Sequence, residues 1–161
     1  MQARNQKIAN HLVKYHPAED TCMGVVTRQL ELQTRDENDV VDVTKDLQWA
    51  VKDSGLKNGI ATIFVPGSTA AVTAMEYEPG LVRDFPRMLE RIASRDIPYE
   101  HQKAWHDDNG RSHVKASLVG PSLSVPFVDG RLTLGTWQQI VLVELDVRPR
   151  TRKVLVQMIG E

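Results

Sequence analysis

The last forty residues constrain the fold most. They read SLSVPFV, the pair Asp129-Gly130, RLTLG, WQQIVLVELD, a bend at Arg148-Pro149-Arg150, and TRKVLVQMIG. Short apolar runs between turn residues read as successive strands, and an aspartate-glycine pair between two such runs signals a hairpin. Upstream, TCMGVVTRQLELQT alternates Val26, Arg28, Leu30 and Leu32 with polar neighbours, the pattern of a half-buried strand, and RDEND follows as a turn. VVDVTKDLQWAVKDSGL reads as a helix capped by Asp42 or Thr44, with Val43, Leu47, Ala50 and Val51 on one face and Gly55 at its stop. GIATIFVP reads as a buried strand closed by Pro66, and AAVTAMEYE as another that ends at Pro79-Gly80. Leu81, Val82, Phe85, Met88, Leu89 and Ile92 recur at helical spacing, which predicts a turn near residue 80 and a helix from about Asp84. HVKASLVG, between Asn109 and Gly120-Pro121, reads as a short helix with His113 and Ser117 on one face.

This order lacks regular βαβ alternation, so the expected class is α+β, a largely antiparallel sheet with a few helices packed on it. At 161 residues the chain has the size of one domain. Residues 1–20, with a thin stripe of Ile8, Leu12 and Tyr15, are expected to be an extension or short helix, and residues 21–161 the domain. Twenty basic against 21 acidic side chains give a formal charge of -1, so no global field favours nucleic acid or an anionic membrane as partner. One cysteine, Cys22, excludes an internal disulfide and a thiolate metal cage. With no apolar run of signal-peptide or membrane-helix length, the expected setting is cytoplasmic.

Reactive chemistry concentrates in Trp105–His113, WHDDNGRSH, with His101 just upstream. One reading is a side-chain-stabilised turn at Asp107-Asp108-Asn109-Gly110 that caps the next helix. An EF-hand calcium loop is excluded, because its register puts Trp105 first and Ala116 last among the ligand positions. The other reading is a transition-metal or proton-transfer site, since His101, His106, Asp107, Asp108 and His113 mix imidazoles with carboxylates suited to zinc, manganese or iron. A second acidic group, Glu76, Glu78 and Asp84, reads either as caps and a solvated turn or as a site. In the site reading Glu76, between Met75 and Tyr77, is a general base or metal ligand. The turn Pro66-Gly67-Ser68-Thr69-Ala70 could cradle a phosphate, and Lys115, Arg148, Arg150 and Arg152 could hold its oxygens. Trp137 reads as a core aromatic.

FVPGSTAAVTAMEYEPGLVRD, YEH, HDDNGRSHVKASLVGPSLSVPFVDGRLTLGTWQQIVLVELDVRPRTR and the closing VLVQMIGE resemble the YjbQ family over roughly residues 22–161. This is a widespread uncharacterised family often labelled secondary thiamine-phosphate synthase. The resemblance implies a compact α+β subunit in a homotrimer, with a polar pocket near the subunit interface. It implies a site from Glu76, Asp84, His101, Asp107, Asp108 and His113, so that two distant segments converge. The implied reaction joins an aminopyrimidine diphosphate to a thiazole phosphate and releases pyrophosphate. Its demand is stabilisation of the leaving diphosphate by a divalent cation (zinc, magnesium or manganese) and by Lys or Arg. On this reading Glu76, Asp84, Asp107 and His113 are catalytic. His101, His106, Asp108 and His113 hold the metal, and Ser68, Thr69, Lys115 and Arg150 the phosphate. No organic cofactor is expected. The partners are a phosphorylated small molecule and further copies of the chain. Many members carry His-Thr-Ser or His-Thr-Thr where this chain has Gly67-Ser68-Thr69, so either His106 replaces the missing histidine or the chemistry differs. The rival readings are a metal-assisted hydrolase or phosphatase and a non-enzymatic trimeric metabolite-binding protein.

Overall fold

The structure, a computed structural model, describes residues 22–161, so the expected extension and its stripe lie outside the described residues. The elements are β1 (Gly24–Gln33), β2 (Val40–Asp42), α1 (Thr44–Asp53), β3 (Gly59–Phe64), β4 (Ala70–Met75) and α2 (Pro79–Ile92). They continue as α3 (Glu100–Trp105), α4 (Gly110–Val119), β5 (Ser122–Val128), β6 (Arg131–Leu132), β7 (Gln139–Glu144) and β8 (Thr151–Gly160). Strands form a five-stranded sheet in the order β1-β8-β3-β5-β6 and a three-stranded sheet β2-β7-β4, and every pairing is antiparallel. The α+β class is as the sequence predicts. Among the described residues no helix is long and apolar enough to cross a membrane.

The larger sheet turns Ala61, Ile63, Val125, Phe127, Val154, Val156 and Met158 onto Ala70, Val72, Ile140 and Leu142 of the smaller one, with α1 alongside. Ala71, Val141 and Val143 face the other way and bury Leu89 of α2 and Ala116 of α4. The smaller sheet is thus covered on both faces. That is why residues 140–143 of β7 are an unbroken apolar run, whereas β1, with one face open, alternates. β3 also alternates, leaving Ile60 and Phe64 exposed, so it is not the fully buried strand its composition predicts.

Local chemistry moves several boundaries. The helix expected to be capped by Asp42 or Thr44 begins at Thr44 with Val43 in the cap position, after β2 has paired with β7. The helix expected from Asp84 begins at Pro79, because Glu78 caps it by accepting hydrogen bonds from the Gly80 and Leu81 amides. Asp84 is therefore an interior, exposed residue facing Arg87, not a cap. Trp137 is 72% exposed and lies outside the core, and RLTLG contributes only β6.

Two buried ion networks clamp one end of the molecule. Lys115 of α4 is fully buried and donates to Glu37 (3.1 Å) and Glu90 (2.7 Å), while Arg111 donates to both Glu37 oxygens at 3.1 and 3.0 Å. RDEND is thus more than a solvated turn. Glu144, also fully buried, accepts from Arg152 at 2.7 and 2.5 Å and from the Thr34 hydroxyl at 2.8 Å. The Asn38 amide donates to the Glu144 carbonyl at 2.7 Å, so the loop over 34–39 ties the two networks together.

Burial alone would push the Glu37 carboxyl up, but the hydrogen bonds of Arg111 and Lys115 outweigh it and hold the group below its ordinary value. A carboxyl lowered by folding stabilises the protein above its unfolded pKa of about 4.3, and that contribution is lost as pH falls through the folded value. The stability gap between wild type and Glu37→Gln, measured by thermal unfolding, is therefore expected to narrow as pH drops below about 4. Replacing Lys115 with Met removes one partner of a buried pair and is expected to cost about 3 kcal/mol in urea unfolding at neutral pH. An unchanged midpoint would mean the pair is not closed as described.

Candidate functional site

The reactive stretch lies where α3 meets α4. Asn109 occupies the cap position of α4 without a side-chain capping bond, and its carbonyl accepts from the Ser112 and His113 amides. The expected side-chain cap is therefore absent, although the helix starts where it predicts. Gly110 opens α4 against the preceding segment, and a β-carbon there would lie 2.6 Å from Tyr99 Cβ and 3.3 Å from His101 Cβ. Glycine lets α3 press onto the first turn of α4. His106 and Asp108, both left-handed at φ 56° and 54°, turn the chain between the two helices.

This packing sets the rings of His101 and His113 at 4.5 Å between centroids, tilted by 49°. His101 Nε2 lies 3.6 Å from Asp107 Oδ1, and both side chains are partly open to solvent. Asp108 is mostly exposed and faces Arg111, whose Nη1 also donates to the Asp108 carbonyl at 2.7 Å. His106 is exposed at the end of α3. His101, His113 and Asp107 thus form one polar cluster, a pair of imidazoles beside a carboxylate, suited to proton transfer and to holding an anion.

The other residues of interest lie elsewhere in the chain. Glu76 lines an open cavity of about 350 Å³ with Asp42, Tyr77, Glu78, Thr136, Trp137 and Gln139, and none of the described histidines lines it. It follows the last residue of β4, whereas Thr69 precedes the first, so strand rise separates them by roughly 20 Å. Within one chain the acidic group and the histidine cluster do not converge. Among the described residues, no three His, Cys, Asp or Glu side chains are placed to hold one metal ion.

Of the phosphate candidates, Thr69 and Arg150 meet at Asp146. Its carboxylate accepts from the Thr69 hydroxyl at 3.1 Å and from Arg150 Nε at 2.8 Å. Burial would raise the Asp146 carboxyl, but the bonds from Arg150 and Thr69 hold it below its ordinary value. Ser68 is exposed beside Thr69, while Lys115 is sealed in its own network. Sequence reasoning missed Glu37, Glu90, Glu144 and Asp146. Only Glu144 carried a signal, as an acid inside the apolar run IVLVELD.

The sequence pattern of the family described as UPF0047 protein YjbQ-like matches residues 28–161. The chain belongs to the YjbQ (UPF0047) family. A UPF0047 protein of Methanothermobacter thermautotrophicus is 37% identical over 86% of this chain and 95% of its own length. The YugU protein of Bacillus subtilis is 33% identical over 83% of this chain and 98% of its own. A crystal structure from Sulfolobus solfataricus P2, described as a protein of unknown function, superposes with a TM-score of 0.82 at 35% identity. It matches 87% of this chain and all of that one. A hypothetical protein of Aeropyrum pernix K1 gives 0.78 at 34% identity over 84% and 99%. The YjbQ fold, a single mixed unit with an antiparallel sheet, is common to this group.

Gly110→Ala tests the geometry of the cluster. The new methyl group collides with Tyr99, so α3 must move away from α4. The expected result is a lower melting temperature together with loss of the nuclear Overhauser contact between the His101 and His113 rings. Retention of that contact at wild-type stability would contradict the packing.

Proposed function

We propose that this YjbQ-family protein is a small-molecule enzyme of phosphate chemistry, of the thiamine-phosphate-forming type. The observation that carries the reading is the His101–His113 pair at 4.5 Å with Asp107 at 3.6 Å from His101, open enough to meet a substrate. In the coupling reaction the thiazole nitrogen forms a C–N bond to the aminopyrimidine methylene carbon. The C–O bond to diphosphate breaks, and its electrons leave on the diphosphate. A cationic imidazole can stabilise that developing charge and supply the proton the released diphosphate takes up, with Asp107 supporting the cation. Ser68 and Arg150 are the proposed phosphate holders, with Thr69 positioning that turn through its bond to Asp146, and the proposed setting is cytoplasmic.

Assembly as a homotrimer belongs to the same proposal. The outer face of the larger sheet supports it, since Val25, Ile60, Phe64 and Ile159 are exposed there without cover from the described residues. A subunit interface would be the place for Glu76 of one copy to approach the histidines of another. A divalent metal, zinc, magnesium or manganese, enters this reading as an ion shared between subunits, and no step above runs through it.

The test is incubation of the purified protein with both substrates while thiamine phosphate and pyrophosphate are measured. Wild type is expected to form both in equal amounts, and His113→Ala to lose at least about 100-fold in rate, as for a missing acid–base group, with an unchanged circular dichroism spectrum. Phosphate release without coupling would favour a hydrolase. Binding without turnover would favour a metabolite-binding protein.

A further inference from the structure

We propose that Gly67, Ser68 and Arg152 form the seat for one phosphoryl group. The inference deepens the phosphate-chemistry reading above and rests on it. Arg152 is 8% exposed and its guanidinium is mostly committed: Nε donates to Glu144 Oε2 at 2.7 Å. Nη2 donates to Glu144 Oε1 at 2.5 Å, to the Thr69 hydroxyl at 2.9 Å and to the Thr69 carbonyl at 3.1 Å. A guanidinium has five N–H donors, and the two on Nη1 make no hydrogen bond to the described residues. A nearly buried cation with unspent donors favours an incoming oxyanion.

The neighbouring turn leaves the approach open. Gly67 has φ +120°, a conformation that L side chains rarely adopt. A β-carbon there would touch Arg152 Nη1 at 3.4 Å and meet nothing else within 4 Å, so the space beside Nη1 exists because residue 67 has no side chain. Ser68 follows, exposed, with neither its amide nor its hydroxyl bonded to the described residues. Arg150 stands at the same turn, one-third exposed, held by the Asp146 carboxylate that Thr69 also bonds.

The nearby charges are balanced before any ligand arrives. Glu144 and Asp146 offset Arg152 and Arg150, and Glu144 also receives the Thr34 hydroxyl and the Leu145 and Asp146 amides. The donors left without a partner among the described residues include those on Nη1, the Ser68 amide and the Ser68 hydroxyl. Two N–H donors on Nη1, with the Ser68 amide and hydroxyl next along the chain, suit the three free oxygens of a phosphate monoester better than the two of a carboxylate. Gly67 is then a specificity residue, since any larger side chain there would cover Nη1.

The experiment titrates the full-length protein with inorganic phosphate, pyrophosphate and, separately, acetate at constant ionic strength, and follows the nitrogen resonances of the Ser68 amide and the Arg152 guanidinium. The expected result is saturable shifts at both with phosphate and pyrophosphate, and much weaker ones with acetate. Ser68→Asp, an exposed change that puts a carboxylate at the opening, is expected to weaken phosphate binding at least about tenfold, or 1.4 kcal/mol, at an unchanged melting temperature. Shifts that fail to saturate, that acetate reproduces, or that persist in Ser68→Asp would overturn the seat. If the seat fails while His113-dependent coupling survives, only this placement of the phosphate is wrong. If phosphate binds here and no turnover is found, the seat stands and the enzymatic reading falls.

Discussion

A buried ammonium between two carboxylates governs the candidate end of this molecule. Lys115 is among the largest fully buried side chains, and its charge is tolerated only because Glu37 and Glu90 meet it. The pairing fastens α4 to the loop after β1 and to the last turns of α2. Arg111, one turn earlier, adds a two-pronged bond to Glu37 and holds the Asp108 carbonyl. The first turn of α4, with His113 on it, is thereby fixed from two sides. The same loop reaches the second network through Thr34 and Asn38, so the histidine cluster and the Gly67 turn share one support.

The antiparallel framework was legible because it is written in local patterns. TRKVLVQMIG is β8 residue for residue, Asp129-Gly130 does join β5 to β6, and α4 lies between Asn109 and Gly120 as the flanking residues predict. The layer structure was less legible: WQQIVLVELD read only as one strand among several although β7 is buried on both faces, and composition could not tell that β3 has one face open. The ion networks were not legible. Thr34 meets Glu144 across 110 positions and Glu37 meets Lys115 across 78, and no periodicity or spacing encodes such pairs. Lys115 accordingly read as a surface ligand for phosphate and is in fact sealed.

The candidate site was legible in its residue types and less so in its geometry. WHDDNGRSH announced polar chemistry, yet the approach of His101 to His113 depends on Gly110 and on α3, a six-residue helix without a strong signal of its own. Proximity in sequence misled for His106 and Asp108, which turn outward in the left-handed linker. Glu76 and the histidines are apart for a reason of topology: β4 carries Glu76 to the far end of the smaller sheet. The departure at Gly67 gains a structural meaning, because what a side chain would cover is an arginine nitrogen with donors to spare.

The central claim is that Glu37 holds the first turn of α4, and with it the histidine cluster, in place. Amide hydrogen exchange on Glu37→Gln tests this most directly. Amides 110–119 are expected to lose protection while those of β1 and β8, whose ten-residue ladder makes no bond to Glu37, keep theirs. Unchanged protection in α4 would contradict it, and so would an equal loss throughout the chain.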